Sequence, residues 1–374
     1  MSTEHTVNAD GIAERIRQFV GDFIGPVAAL LAAGNGPRPK DVVSAAGEAG
    51  LAGILTPDLL GGAGGTHRDF VDFIEAVARE DASAAVILDV HLSVGTEPII
   101  VFGNNDQKRH FLPLLARGEW LAGFALTEPA GGSDAGALET RAVRDGSDYV
   151  LNGSKTFITG AGDADVYVTM ARTGEGSRGI SAFLVESSSP GVSHSAPFHK
   201  LGLHGSWTGE LILDGVRVPE RNRLGEEGEG FKVAMAALDS GRVGISAQAV
   251  GIAQGALDAA VRSTVARLAH GEPADEMTLA DMEAQTVASR VLTRHVAAMV
   301  DAGEAVTLEA STTKLYATDT CMRVAQAAMD LCAPDSASGS HPAAVRLRDA
   351  KACQIYEGTN QIQRMVIARR LLRG

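Results

Sequence analysis

Near the end of the chain, the stretch Gln354-Ile355-Tyr356-Glu357-Gly358-Thr359-Asn360-Gln361-Ile362-Gln363-Arg364 sets one carboxylate, Glu357, at a break between two helix-like runs. Residues 345–352 precede it, and Ile362, Val366, Ile367, Leu371 and Leu372 follow. Gly358 interrupts the helical pattern, because glycine alone takes unusual φ and ψ cheaply. A carboxylate held there is poorly solvated and can serve as a base with a raised pKa. Its plainer reading is a solvated glutamate at a helix end, and taken alone that reading prevails.

Three further stretches hold chemistry-bearing residues. Phe124-Ala125-Leu126-Thr127-Glu128-Pro129-Ala130-Gly131-Gly132-Ser133-Asp134 gathers Thr127, Ser133 and glycine amides into a donor-rich loop. Such a nest suits an anionic or polar cofactor edge, with an ordinary glycine-rich turn as an equal alternative. Leu151-Asn152-Gly153-Ser154-Lys155-Thr156-Phe157-Ile158-Thr159 pairs an Asn-Gly turn with an aromatic and a hydroxyl two residues apart. On a regular strand those two side chains share a face, so Phe157 can stack on a flat ring while Thr159 bonds its edge. A plain hairpin with a core Phe is the simpler alternative. Leu238-Asp239-Ser240-Gly241-Arg242 sets an acid and an arginine one helical turn apart, where a salt bridge is the default.

The elements around these stretches change character twice. Residues 9–118 are helical in pattern, with Ile12, Ile16, Phe19, Val20 and Phe23 on one face, a second helix opening at Pro39, and further helices over 69–80 and 106–115. The glycine-rich residues 56–65 lack a G-x-G-x-x-G order and read as a connector. From about Trp120 the pattern becomes short strands, over 142–151, 166–171, 180–185 and 210–218, split by Asp-Gly, Asn-Gly and Gly-Glu-Gly turns. Long helices return over 231–269, 277–302 and 304–331. The expected fold is α+β and mostly α: an N-terminal helical domain (1–120), a middle antiparallel β domain (121–228) and a C-terminal four-helix bundle (229–374) carrying Glu357.

A chain of 374 residues suits two or three lobes, and 45% hydrophobic with 21% charged residues is ordinary globular composition. A net charge of -13 argues against nucleic acid and against an anionic membrane surface. The three cysteines, Cys321, Cys332 and Cys353, lack C-x-x-C spacing, and the ten histidines lack H-E-x-x-H spacing, so neither disulfides nor a metal is expected. The polar first ten residues lack the regions of a signal peptide, and no apolar run approaches the ~20 residues that span a bilayer. A cytoplasmic location is the expectation.

Taken together and in this order, the four stretches resemble the acyl-CoA dehydrogenase family over nearly the whole chain. The specific motifs are Thr-Glu-Pro-x-x-Gly-Ser-Asp from Thr127, Asn-Gly-x-Lys-x-(aromatic)-Ile-Thr from Asn152, and Ile-Tyr-Glu-Gly-Thr-x-x-Ile-Gln-Arg from Ile355. The resemblance implies an FAD enzyme, with flavin between the β domain and the bundle. It assigns Phe124, Leu126, Thr127, Gly132, Ser133, Phe157, Ile158, Thr159, Arg267, Thr359 and Gln361 to FAD. Phe157 replaces the more usual tryptophan. Ser133, Asp239, Arg242, Tyr356 and Gly358 fall near the acyl thioester and its pantetheine. Glu357 is the implied base for the α proton, its backbone N–H helps bond the thioester carbonyl, and flavin N5 takes the β hydride, giving a 2-enoyl thioester. The implied partners are acyl-CoA or an acyl-carrier-protein substrate and an electron-transfer flavoprotein or other acceptor. A homodimer or homotetramer is implied.

Two departures concern the adenosine half of FAD. Arg267-Leu268-Ala269-His270-Gly271 keeps the Arg and Gly of the family's Arg-x-x-Phe-Gly but not its Phe. Asp330-Leu331-Cys332-Ala333-Pro334-Asp335-Ser336 stands where the family carries Gln-x-x-Gly-Gly-x-Gly, and proline removes a donor there. A weakened or altered hold on FAD is expected, as in relatives from secondary metabolism that act on carrier-tethered acyl groups. The alternatives are a relative using flavin as an oxidase or monooxygenase, and a flavin-free paralogue serving as a binding or assembly subunit.

Overall fold

Residues 3–373 are described by a computed structural model, with side chains from residue 11 onward. The first third forms α1 (Thr3–Phe19), α2 (Gly25–Ala32), α3 (Pro39–Glu48), α4 (His67–Glu80), α5 (Ala82–Asp89), α6 (Glu97–Phe102) and α7 (Asn105–Ala116). Helix α4 shows how local sequence sets these elements. Thr66 caps it, accepting from Asp69 N at 3.1 Å while Asp69 accepts from Thr66 N at 2.8 Å. Phe70, Phe73, Ile74 and Val77 then recur at helical steps and are buried.

Residues 82–102 differ from expectation. They form one continuous helical segment of 21 residues with a mean hydropathy of 1.6, long and apolar enough to cross a membrane by length and composition. The expectation that no apolar run approaches spanning length is thereby corrected, and 78% of the segment's apolar window is buried inside the protein. The run is easily passed over because Asp89, His91 and Glu97 interrupt it. Its middle, Val90–Thr96, is π-helical, and Ser93 Oγ donates back to Asp89 O at 2.8 Å. Single π turns inside helices often mark functional sites.

The middle third is an eight-stranded sheet: β1 (Ala122–Ala125), β2 (Arg141–Asp145), β3 (Asp148–Thr159), β4 (Val166–Arg172), β5 (Ile180–Glu186), β6 (Val192–His194), β7 (Thr208–Pro219) and β8 (Arg223–Leu224). The strand expected over 142–151 is instead a hairpin, because Gly146 takes φ 65 and turns β2 into β3. The spatial order is β6-β7-β3-β2-β4-β5-β8, mostly antiparallel, with β1 and β2 pairing with β4 in parallel. Between Lys155 and Ile158 the β3–β7 register shifts, which marks a bulge.

The last third contains α8 (Gly230–Leu268), α9 (Glu276–Asp301), α10 (Thr307–Leu331), α11 (Pro342–Cys353) and α12 (Asn360–Leu371). Helix α8 is the axis of the bundle and packs on α4, α9, α10 and α11. Its 39 residues are rich in glycine and alanine and largely buried from Ser240 to Ala260, as a helix surrounded on all sides requires. Gly230, at its start, lies against Ser181 of β5, which joins sheet to bundle.

Candidate active site

Glu357 sits in the break between α11 and α12 with φ 51, followed by Gly358 at φ 90. Among the described residues only Phe157, Leu203 and Glu357 are non-glycine residues with positive φ. Such a backbone persists where its surroundings over-determine it. Here Lys314 Nζ of α10 donates to Gly358 O at 2.9 Å and to Asn360 Oδ1 at 3.0 Å. Gln363 Nε2 donates to Gly358 O at 2.9 Å and to Glu357 O at 3.3 Å. Tyr356 donates its hydroxyl to Gln248 Oε1 of α8, and Gln248 Nε2 is held by Ala82 O at 2.8 Å. Lys314, Gln363 and Gln248 were not singled out from sequence. The available signal was a lysine on the apolar Ala310–Ala317–Cys321 face of α10.

The clamp fixes the backbone and leaves the carboxylate free. Glu357 Oε2 is buried and has no hydrogen-bond partner, and the Glu357 backbone N–H makes no hydrogen bond among the described residues. Burial pushes the carboxyl pKa up to about 7, against the pull of Lys314 and Arg242. The carboxylate lies over Gly241 of α8. A Cβ built there would overlap Oε2 and stand 2.7 Å from Glu357 Cδ, with Val94 Cγ1 at 3.0 Å. Gly241→Ala should therefore fold, since it displaces chiefly the end of a flexible side chain, asks Val94 to shift slightly and improves helix propensity. A displacement of that size costs on the order of 10²-fold in turnover. Full activity with an unchanged pH profile would show that Glu357 does not act from this position.

Arg242 and Asp239 form the expected salt bridge and more. Thr307 Oγ1, at the start of α10, donates to the second oxygen of Asp239 at 2.7 Å, while Arg242 Nε is buried and unbonded. The pair lines a cavity of about 360 Å³ between α8, α10 and α12, whose far wall carries Arg369, Arg370 and Arg373. Arg242 thus lines that basic cavity while its charge also acts on Glu357.

The donor-rich loop and β3 meet each other: Thr156 N donates to Thr127 O at 2.9 Å. Beneath them Lys155 is fully buried and donates to Glu128 Oε1 at 2.7 Å and Leu126 O at 3.2 Å. Glu128 also accepts from Glu139 N at 2.6 Å and Thr140 N at 2.9 Å. Burial lowers the Lys155 pKa to about 8, with Glu128 opposing, while Glu128 lies below its ordinary value. Three donors converging on one carboxyl favour the ionised pair. The loop above keeps Gly132 and Ser133 exposed, with Leu126 buried and Thr127 and Phe124 half-buried.

Phe157 corrects the strand argument. The bulge breaks the two-residue alternation, and Phe157 has φ 58 with its ring 68% exposed, edge-on to Phe198 at 5.5 Å. The regular-strand geometry invoked for Phe157 and Thr159 therefore does not apply, although the ring does face outward. Ile158 is corrected too. Its side chain is buried in the core, so only its backbone remains available to a ligand. Thr359 caps α12, accepting from Ile362 N at 3.2 Å, and Gln361 is exposed on the first turn.

Arg267 is not brought to this group. It lies near the end of α8 beside Cys332, and its Nε is buried and unbonded. The 330–336 loop folds back on α10, with Ser336 N donating to Cys332 O at 3.0 Å and Ser336 Oγ to Met329 O at 2.7 Å. It uses donors on its own helix end that a glycine-rich loop would leave free.

Three family models match in succession: "Acyl-CoA dehydrogenase, N-terminal domain" over residues 6–119, the "middle domain" over 123–216 and the "C-terminal domain" over 228–372. An "Acyl-CoA dehydrogenase" of Bacillus subtilis is 44% identical, with 96% of each chain covered. The "Caffeyl-CoA reductase-Etf complex subunit CarC" of Acetobacterium woodii is 38% identical over 91% of each chain. Among solved structures, butyryl-CoA dehydrogenase from Megasphaera elsdenii superposes with a TM-score of 0.93 at 37% identity, covering 98% of both chains.

Proposed function

The chain belongs to the acyl-CoA dehydrogenase family, and on that footing we propose that Glu357 is the base in an FAD-dependent α,β-dehydrogenation of an acyl thioester. The observation that carries the assignment is the unpartnered, buried Oε2 of Glu357 on a left-handed backbone whose carbonyls Lys314 and Gln363 hold.

The residues present fit FAD. The exposed Phe157 ring is held in a left-handed backbone, Gly132 and Ser133 are exposed, and, apart from them near the end of α8, Arg267 keeps an unsatisfied donor. Phe157, Thr159 and the 126–133 loop would hold the flavin and pyrophosphate, with Thr359 and Gln361 across from them. When bound, FAD supplies the acceptor for the β hydride, which no side chain can be.

The chain's own residues handle the proton. Glu357 in its carboxylate form takes the α proton, and a pKa near 7 keeps it basic enough to do so while still ionised near neutrality. Its free backbone N–H is a donor for the thioester oxygen as negative charge develops there. The charges of Lys314 and Arg242 limit how far burial can raise the carboxyl. The cavity lined by Arg242, Arg369, Arg370 and Arg373 suits the phosphate-bearing arm common to CoA and carrier proteins.

An electron-transfer flavoprotein is the proposed acceptor, by analogy with CarC, whose name places it in an Etf complex. A cytoplasmic homodimer or homotetramer is proposed as well. Exposed Val265, Leu268, Met277 and Val291 on α8 and α9 support the oligomer, since apolar surface of that kind is usually covered. Anaerobic titration of the yellow protein with a panel of acyl-CoA and acyl-carrier thioesters tests the function. At least one should bleach the flavin and yield the 2-enoyl thioester. Protein that stays colourless after FAD addition, or yellow with every thioester, would reject it.

A further inference from the structure

Glu357 is not the only carboxylate seated against α8. One turn further along the same face, Gly244 makes room for Asp89, and a Cβ there would overlap Asp89 Oδ1 and stand 2.7 Å from its Cγ. Asp89 ends α5, immediately before the π-helical stretch, and is fully buried. Its Oδ1 accepts from Ser93 Oγ at 3.1 Å, while its Oδ2 has no hydrogen-bond partner. Thr96 Oγ1, in the same π-helical stretch, is likewise buried and unbonded.

Nearby charges are committed elsewhere. Lys314 holds Gly358 and Asn360, and Arg242 holds Asp239. Glu97, on the same apolar segment as Asp89, shows what a satisfied acid looks like here. It accepts from Ser240 Oγ and pairs with His67 Nε2 at 3.1 Å, and His67 Nδ1 meets Asp301 at 3.0 Å. Burial lowers the His67 pKa, but the two carboxylates prevail and raise it to about 9. No cation is paired with Asp89 among the described residues. Burial, with the Glu357 charge beside it, pushes the Asp89 carboxyl well above the usual carboxylate range, so the group stands neutral unless a donor completes it as a carboxylate.

Position indicates what completes it. Along α8 the basic cavity belongs to positions 239 and 242, Glu357 lies over 241 and Asp89 over 244. Residues three apart on one helix face stand about 5 Å from each other. A thioester whose arm lies at Arg242 and whose α carbon meets Glu357 therefore points its tail at Asp89. We infer that Asp89 is a specificity-determining residue, and that the preferred acyl chain carries an N–H or O–H donor, an amine or hydroxyl, within a few bonds of its α carbon. The inference rests on the thioester reading above.

Inert S-alkyl-CoA thioethers with butyl, 4-hydroxybutyl and 4-aminobutyl tails test it, by calorimetry and by the shift of the flavin band on the holoenzyme. At least one donor-bearing tail should bind about tenfold or more tighter than butyl, because a site built to bond a substrate donor rejects the analogue lacking it. Asp89→Val should erase that ratio, and Asp89→Asn should shrink it, at unchanged flavin content. Wild-type protein that binds butyl as tightly as both donor tails overturns the inference, and that comparison needs no variant to fold. A ratio unaltered in Asp89→Val overturns it too. Failure of all three thioethers to bind would instead sink the thioester reading and this inference with it.

Discussion

Glu357→Gln is expected to keep the protein yellow and folded while slowing anaerobic flavin reduction by roughly 10²- to 10⁴-fold, the usual range for a lost general base. Glutamine matches glutamate in size, so Gly241 still accommodates it and the Lys314 and Gln363 bonds to the backbone remain. The pH dependence gives a second readout. In the wild type the free-enzyme pKa near 7 means that substrate-limited reduction rises with pH as the carboxyl ionises, then levels above 7. The variant should lose that inflection. Stopped-flow reduction between pH 5.5 and 8.5 measures both, and an inflection retained in Glu357→Gln would move the base to another residue.

Lys155→Met should be nearly as damaging by a different route. It leaves Glu128 buried with two backbone donors and no cation, and breaking a buried ion pair in this way costs about 3–5 kcal/mol. It also frees Leu126 O, so the loop from Leu126 to Ser133 keeps only the Thr156 N to Thr127 O bond as a hydrogen-bonded anchor to β3. The expected protein is less stable in urea and purifies with substoichiometric FAD. A double variant, Lys155→Met with Glu128→Leu, should regain much of the stability but not the flavin, because the backbone donors of Glu139 and Thr140 stay unpaired beside the loop. Wild-type stability and full flavin content in the single variant would show that the pair is dispensable.

Several features were open to sequence because they depend on near neighbours. The helical period of α4, the turn at the break around Gly358 and the three-residue step from Asp239 to Arg242 are local patterns. What escaped depends on distant partners. Lys314 meets Gly358 across 44 residues, and Glu128 meets Lys155 across 27. The pairing of β3 with β7 joins residues about 50 to 70 positions apart, and its bulge at Phe157 is set by that register and not by composition. Asp89 was hidden for another reason: within an apolar run it looks like an interruption, and only its burial and its empty oxygen make it conspicuous.

The two bare positions on α8 have a practical consequence for anyone seeking a hardier form of this protein. Gly241 and Gly244 lie inside a long helix, where alanine is ordinarily better by up to about 1 kcal/mol, so a propensity-guided redesign would choose them early. At Gly241 the atoms closest in the way belong to the movable carboxyl end of Glu357, whereas at Gly244 the buried Phe70 ring, with Cζ at 2.9 Å, stands beside Asp89. A screen for heat resistance would therefore reward replacement of Gly241 and enrich sturdy proteins with a misplaced Glu357, while replacement of Gly244 disturbs the core as well as Asp89. Heat tolerance and turnover must be selected together at Gly241.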